Sequence, residues 1–309
     1  MNKEEFNCIL NATEGQLDII IYNQDNILLA EQWHAPTSGA EILTPALQSA
    51  CKIYDIDISN IKHYACVHGP GSFTGIRIIM STVGAIRRVT GARNCSIDYM
   101  QALATTAQNS LQDILQFNLY TQEETLNQGL YESLICVITH ARRNLVHCEY
   151  FKINFNGLPT SKAKVFLCSP QELVLEWQKL VEDMKGLQEK TLQDAPDRQQ
   201  KHNTHSKIYV IGSGLKRNQK NIDEYLSKNP EIRNKLHYLP QVHPTTQSLW
   251  ALAKEANYHH NDLEPLYIRP CDAVDNLSHI AKKQGMDADK AHARLKELLQ
   301  IPVSKSILD

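Results

Sequence analysis

The chain has 309 residues, about twice the length of an average domain, so its length predicts two domains. Hydrophobic residues make up 42% and charged residues 21% of the sequence, which excludes intrinsic disorder. Thirty-two Lys and Arg against 34 Asp and Glu give a net charge of −2, which indicates neither a nucleic-acid nor a membrane partner. No apolar run approaches about 20 residues and the first residues are acidic, so we expect a cytoplasmic protein.

The first part of the chain predicts an α/β unit. Three strands in a meander should come first, followed by a helix, a fourth strand and a long helix: residues 7–10, 17–22, 27–33, 40–54, 64–67 and 75–89. Pro45 is expected near the first turn of the first helix, where the missing N–H group costs little. Strands that run into helices imply an α/β domain.

The second part of the chain also predicts a mixture of strands and helices. Its predicted strands, helices and final extended segment are 134–138, 146–155, 170–180, 208–211, 247–259 and 265–270. Residues 116–128 and 182–207 are polar, which predicts two surface insertions, the second of them mobile. We therefore expect a first domain at 1–106, a second at 107–271, and a tail at 272–309 with a helical run at 287–299.

The cysteines indicate a reducing environment. None of the eight forms a C-x-x-C pair, and most lie in apolar, strand-like surroundings. A disulfide scaffold would be shorter and denser in cysteine. We expect free, buried thiols.

The most informative segment follows the fourth predicted strand and opens a helix. It consists of His68, Gly69, Pro70, Gly71, Ser72, Phe73, Thr74, Gly75, Ile76 and Arg77. Its glycines allow close backbone approach, and Ser72 and Thr74 are expected to cap the helix. The segment lacks the Lys-Ser/Thr of a P-loop and the glycine spacing of a nucleophile elbow. Two interpretations stay open: an anion site at the helix start, or a tight turn without a ligand.

This segment resembles the signature of the TsaB (YeaZ) family, in which a glycine precedes Pro-Gly-Ser-Phe-Thr-Gly and an arginine follows. Three further segments are similar to that family: 9–13 to its first strand, 140–143 to its Asp-Ala-Arg-Arg, and 264–269 to its closing Pro-x-Tyr-Leu-Arg. The resemblance implies two actin-like (sugar kinase) lobes, each a mixed sheet flanked by helices. It also implies a part in forming threonylcarbamoyladenosine next to the tRNA anticodon.

Two positions depart from ATP-using relatives of this fold. Asn11 and His140 stand where carboxylates hold the Mg-nucleotide, and neither offers the hard, charged oxygen that Mg²⁺ prefers. We therefore expect no cofactor and no catalytic residue on this chain. The old glycoprotease label of this fold group would require ligands such as His-Glu-x-x-His, which the sequence lacks.

The helix predicted at 75–89 is apolar over more than one face, and the helix predicted at 40–54 is its expected neighbour. In the TsaB family this pair contacts the catalytic partner TsaD or a second copy of the chain. The predicted interface consists of Ile42, Leu43, Leu47, Ile76, Ile79, Met80 and Val83. Ordinary core burial is the competing explanation.

The resemblance predicts a non-catalytic subunit that stabilises a TsaD-like protein, with ATP and metal on that partner and on a TsaE-like ATPase. Contact with tRNA would be indirect or weak. Two alternatives remain: an active ATP-dependent phosphotransferase of the same fold, and a homodimeric scaffold unrelated to tRNA.

Overall fold

The structure is a computed structural model, and contacts divide its chain into two units, Met1–Leu266 and Tyr267–Asp309. The residues that it describes are 5–34, 39–121, 130, 132–142, 144–194, 206–268 and 277–300. Among these residues, no helix is long and apolar enough to cross a membrane.

The first sheet joins an antiparallel meander to two parallel strands. Its strands are β1 (Phe6–Asn11), β2 (Gln16–Tyr22), β3 (Ile27–His34), β4 (Ile61–Gly69) and β5 (Arg93–Asp98). They lie in the order β3-β2-β1-β4-β5, and β4 runs parallel to both β1 and β5. Every residue of β2 is buried because both faces of the sheet are covered. The predicted meander is confirmed.

Two helices cover one face of this sheet, α1 (Gly39–Ile53) and α2 (Phe73–Thr90). Leu43 of α1 and Ile79 of α2 pack with Leu10 of β1 in one buried cluster. Successive strand residues point to opposite faces, so alternate residues of β1 and β2 enter this cluster. The long helix predicted after the glycine-rich segment is confirmed.

The second sheet combines a hairpin with parallel strands. Its strands are β6 (Leu134–Arg142), β7 (Leu145–Lys152), β8 (Thr160–Ser161), β9 (Phe166–Cys168), β10 (Ile208–Ile211) and β11 (Leu236–Tyr238). They lie in the order β11-β10-β6-β7-β8, with β9 also on β7. One face is covered by α4 (Pro170–Asp194), α5 (Ser213–Leu226) and α6 (Pro230–Lys235).

A third buried cluster lies between the two sheets. Two helices contribute residues to this cluster, α3 (Tyr99–Thr121) and α7 (Thr246–Glu255). Leu103 of α3 belongs to the same cluster as Ile9 of the first sheet and Val137 of the second. The predicted fold class is confirmed: an α/β protein with two mixed sheets, each flanked by helices.

The predicted domain limits fall differently in the structure. Position 106 lies inside α3, which contributes to the core that both sheets share, and contacts place the two sheets in one unit. The second unit begins at Tyr267, slightly before the predicted tail. It contains α8 (Leu277–Lys283) and α9 (Ala288–Gln300), so the predicted helical run is confirmed.

Two expectations about local structure are corrected. Pro45 lies in the second turn of α1, where it removes one helical hydrogen bond, and not in the first. The first half of the predicted insertion at 182–207 continues α4 to Asp194, because Leu, Val and Trp side chains anchor that helix to the sheet. Residues 195–205, on which the predicted mobility rests, lie outside the described residues, as do 122–128 of the other insertion.

The prediction of free, buried thiols is confirmed for the cysteines that the structure describes. The described cysteines are buried and free: Cys8, Cys51, Cys66, Cys95, Cys136, Cys148 and Cys168. Their burial in apolar clusters agrees with the behaviour of cysteine as a small hydrophobic residue.

Candidate functional site

The glycine-rich segment forms the turn between β4 and α2. Ser72 is the N-cap of α2, and its Oγ accepts a hydrogen bond of 3.2 Å from the main-chain N–H of Gly75. This contact satisfies one of the N–H groups that a helix start leaves without a helical partner. Thr74, the other expected cap, lies inside the first turn. Gly69 has φ +117°, a conformation that L side chains rarely adopt.

Gly71 and Gly75 are required by close packing on the turn between β1 and β2. A Cβ atom added to Gly71 would overlap the side chain of Thr13, and one added to Gly75 would overlap the main-chain oxygen of Ala12. The glycines therefore let two backbones approach each other. This geometry favours the tight turn over the anion site, because it accounts for the glycines without a ligand.

The closing segment of the first unit packs on the same turn. The main-chain N–H of Leu266 donates a 2.8 Å hydrogen bond to the carbonyl oxygen of His68. The oxygen of Leu266 lies 3.0 Å from where a Cβ atom of Gly69 would be. Two segments almost 200 residues apart in the sequence are thereby joined at the end of β4.

Phe73 and Arg77 are the largest of the exposed side chains in the segment. The guanidinium of Arg77 stacks over the ring of Phe73, with its central carbon 3.8 Å from the ring centroid. Phe73 keeps 39% of its surface exposed, and Arg77 is exposed as well. An exposed pair of this kind contributes about 0.5–1 kcal/mol.

Asn11 belongs to a buried hydrogen-bond cluster around Asp18. The Asn11 Nδ2 atom donates to one oxygen of Asp18 at 2.6 Å, and the Gln16 Nε2 atom donates to the other at 2.8 Å. The Asn11 Oδ1 atom accepts from the main-chain N–H of Thr13 at 2.9 Å. Burial raises the pKa of Asp18, which has no exposed surface.

These residues do not fit a Mg-nucleotide. Both oxygens of Asp18 accept amide hydrogen bonds, and the side chain has no exposed surface, so the carboxylate lies inside the protein. Among the described residues, no three His, Cys, Asp or Glu side chains are grouped to hold a metal ion. Asn11 acts as a structural link between β1, the following turn and β2.

Glu14 connects this turn to the second sheet. Its Oε1 atom accepts hydrogen bonds from Ser213 Oγ at 2.7 Å and from the main-chain N–H of His140 at 3.1 Å. The hydroxyl of Tyr99 approaches Oε2 at 3.5 Å. Burial raises the pKa of Glu14 to about 7, although these donors and Arg217 act to lower it.

The sequence-based analysis missed Glu14. Its signal is weak: an acidic residue followed by a glycine in a turn. Glu14 has φ +56° and Gly15 has φ +77°, so both adopt the left-handed conformation. His140, predicted from its side chain, takes part here through its main-chain N–H group.

Asp98 of β5 and Glu149 of β7 form a separate pair of carboxylates. Asp98 ends β5 directly before α3, and it accepts hydrogen bonds from the main-chain N–H groups of Met100 at 2.7 Å and Gln101 at 3.0 Å. Burial raises its pKa, and His68 lies 4.0 Å away. Burial also raises the pKa of Glu149 to about 7, with Asp98 contributing, while a hydrogen bond from Ser161 lowers it.

The predicted partner surface is largely inside the protein. Its buried members, all at most 3% exposed, are Leu43, Leu47, Ile76, Ile79 and Val83. They form the core beneath α1 and α2, which corrects their assignment to a partner interface. The apolar stripe is wide because each helix contacts both the sheet and its neighbour. Ile42 and Met80 are partly exposed.

The outward faces of the two helices carry small and polar residues. Thr44 and Gln48 of α1 are exposed, as are Ser81 and Ala85 of α2. Whether a partner covers these faces stays a prediction.

Solved structures share this fold, although no family model and no curated protein matches the sequence. A Pseudomonas aeruginosa protein, described as similar to the peptidase YeaZ, has a TM-score of 0.57 at 14% identity, over 86% of this chain and 100% of its own. YeaZ from Pseudomonas aeruginosa has a TM-score of 0.55 at 14% identity, over 85% of this chain and 99% of its own. A Bacteroides thetaiotaomicron protein with an actin-like ATPase fold has a TM-score of 0.34 at 10% identity, over 81% of this chain and 96% of its own.

The chain therefore has a two-sheet α/β fold, and its structural neighbours include YeaZ. The fold that the resemblance to the TsaB family implied is confirmed.

Proposed function

We propose that this chain is a divergent TsaB-like subunit of the complex that forms threonylcarbamoyladenosine in tRNA. In this role it binds a TsaD-like catalytic protein and stabilises that protein's active conformation. A partner that binds one conformation more tightly than another shifts the population toward it, without chemistry of its own.

One observation carries the proposal: the four segments that resemble the TsaB family meet in space. The glycine-rich segment packs on Ala12 and Thr13 of the first similar segment. His68 receives a hydrogen bond from Leu266 of the closing segment. His140 of the remaining segment donates to Glu14, next to Thr13. Segments spread over the chain thus form one connected site, as expected when a family signature describes a shared structure.

The site supports binding better than catalysis. The glycines pack backbone on backbone, and the carboxylate of Asp18 is fully enclosed by amide donors. ATP and metal would therefore be held by the TsaD-like and TsaE-like partners, and tRNA would be contacted mainly by the complex. The alternative of an ATP-dependent phosphotransferase lacks a carboxylate that is free to hold the metal at Asn11, Asp18 or His140.

The outward faces of α1 and α2 are the proposed contact surface. They present Gln48 and Ser81, together with the partly exposed Ile42 and Met80. Small side chains allow a partner helix to approach closely, and interfaces have centres depleted in charge. Phe73 and Arg77 lie at the start of the same helix pair and would extend this surface. Aromatic residues and arginine are enriched at interfaces.

Complex formation with the TsaD homologue of the same organism tests the proposal. Gln48→Arg and Ser81→Arg each place a long cation on the proposed surface, where it would lose hydration against a partner. The matched control is Gln219→Arg, which makes the same change on an exposed position of α5. Size-exclusion chromatography with light scattering reports the mass of the complex, and circular dichroism reports folding.

We expect the wild type and Gln219→Arg to form a complex with the TsaD homologue, and the two surface variants to lose it while keeping their melting temperatures. A complex that survives both substitutions would place the partner elsewhere. A homodimer in the wild type without any binding to the TsaD homologue would favour the scaffold alternative.

A further inference from the structure

Glu14 makes polar contacts across the two sheets. It lies in the turn between β1 and β2 of the first sheet, whereas His140 lies near the end of β6 and Ser213 at the start of α5, directly after β10. The Ser213 hydroxyl and the His140 N–H converge on one oxygen of Glu14. The His140 N–H also lies 3.0 Å from Ser213 Oγ, so the three groups form a closed triangle of hydrogen bonds.

Glu14 adopts a left-handed backbone conformation in this turn. A left-handed conformation is uncommon for a residue other than glycine, asparagine or aspartate. Such conformations persist where the surrounding contacts hold them. At Glu14 these contacts come from the other sheet and from α3, through Ser213, His140 and Tyr99.

Two glycines beside Ser213 make room for the contact between Ser213 and Glu14. A Cβ atom on Gly212 would overlap the carbonyl oxygen of Ile138, and one on Gly214 would lie 3.0 Å from the same atom. The glycines on either side of Ser213 therefore let the start of α5 lie against β6. This packing brings the Ser213 hydroxyl and the His140 N–H to the same carboxylate oxygen.

We propose that Glu14 is a latch: an intramolecular contact that holds the strand ends of the two sheets together, and whose release lets those ends separate. Elsewhere the sheets are joined by the apolar cluster around α3 and α7, of which Glu14 is not a member. The latch therefore controls local opening at the strand ends while the fold persists. This inference concerns the chain alone and does not depend on the proposed partner.

The charges around Glu14 are consistent with a contact that can be released. Arg217 of α5 is the cation that faces it, Tyr99 of α3 has a pKa raised well above its ordinary value by burial, and His140 belongs to β6. The charge of Asp18 in β2 also raises the pKa of Tyr99. His243 Nδ1 lies 3.1 Å from the Tyr99 hydroxyl. Burial opposes ionisation of Glu14, so its hydrogen bonds offset a desolvation cost and add little surplus stability.

Hydrogen exchange of the wild-type chain, three single variants and the double variant Glu14→Asn/Ser213→Ala tests the latch. Glu14→Asn removes the carboxylate and its reach, while asparagine tolerates the left-handed conformation. Ser213→Ala removes one donor and leaves the turn unchanged, which keeps the test open should Glu14→Asn fold poorly. Glu41→Asn is the matched control, at an exposed position of α1. The exchange rates of the main-chain amides in 12–15, 139–142 and 212–214 are the readout, because local opening sets these rates.

We expect Glu14→Asn to accelerate exchange in all three segments together by about tenfold or more, because the Ser213 hydroxyl and the His140 N–H lose the acceptor that they share. Ser213→Ala should accelerate the same segments less, and the double variant should exchange no faster than Glu14→Asn, since both changes break one contact. Unchanged rates in both variants would overturn the proposal. Acceleration of the His140 amide alone would also overturn it, because that result describes one lost hydrogen bond and no separation of the strand ends.

Discussion

Leu266 donates its main-chain N–H to the carbonyl oxygen of His68 over 2.8 Å, so the closing segment of the first unit is fastened to the end of β4. The glycine-rich turn that follows His68 is thus held on one side by Leu266 and on the other by Ala12 and Thr13. It follows that side chains added within this turn should disturb the fold itself before they disturb any binding.

Gly75→Ala should destabilise the protein. The added Cβ atom would meet the main-chain oxygen of Ala12, which cannot move without shifting β1. Overpacking of this kind costs about 1–3 kcal/mol. The control is Gly186→Ala in α4, where a Cβ atom meets nothing within 4 Å and where alanine should stabilise the helix by about 0.5–1 kcal/mol. Urea unfolding of both variants measures the difference, and equal stabilities would refute the packing role of Gly75.

Ile79→Ala should cost about 2–5 kcal/mol of stability, the usual range for deleting a buried aliphatic side chain. Ile79 has no exposed surface and packs in the cluster beneath α1 and α2. Val89→Ala at the end of the same helix is the comparison, because Val89 is 88% exposed and should change stability by less than about 0.5 kcal/mol. If chemical denaturation gave the two variants similar losses, Ile79 would not be a core residue and could again be assigned to a partner surface.

The stability of the protein should fall as the pH rises toward neutrality. Burial raises the pKa of Glu149 from its ordinary 4.5 to about 7, and that of Glu14 in the same way. The folded state then holds protons that the unfolded state has released, so this stabilisation is complete below pH 4.5 and is lost through about pH 7. Glu149→Gln should flatten the dependence without abolishing it, since Glu14 still titrates. Free energies of unfolding measured across this range would disagree with the account if the wild type became steadily more stable toward pH 7.

The purified chain should hydrolyse ATP no faster than a buffer control. Asn11 and Gln16 occupy both oxygens of Asp18, and His140 contributes its main-chain N–H to Glu14. Asp18→Asn is the decisive variant, because it removes the carboxylate that Asn11 contacts. Turnover in the wild type that disappears in Asp18→Asn would show that this cluster holds a metal after all.

The sequence predicted most elements whose apolar residues follow a clear period. The meander of β1 to β3 and helix α2 were found because alternation and helical spacing are both strong there. The limits of α4 were missed because its second half is rich in polar residues, and periodicity cannot distinguish a polar helix from a loop. The boundary at 106 was placed inside α3 because sequence does not show that one helix packs on two sheets.

The candidate site was predicted in part. The glycine-rich turn, Ser72 and the closing segment were found from their residue types, and the structure brings them together. Glu14 was missed because its role depends on Ser213, almost 200 residues away, and such long-range pairs leave no local pattern. The apolar stripe of α1 and α2 was assigned outward because a wide stripe does not reveal which part faces the sheet.

The threonylcarbamoyladenosine content of tRNA after depletion of this protein tests the central claim most directly. Mass spectrometry of digested bulk tRNA would compare depleted cells, cells complemented with the wild type, and cells complemented with Gln48→Arg or the control Gln219→Arg. The account predicts that depletion lowers the nucleoside, that the wild type and Gln219→Arg restore it, and that Gln48→Arg restores it poorly. An unchanged nucleoside level in depleted cells would contradict the proposed function.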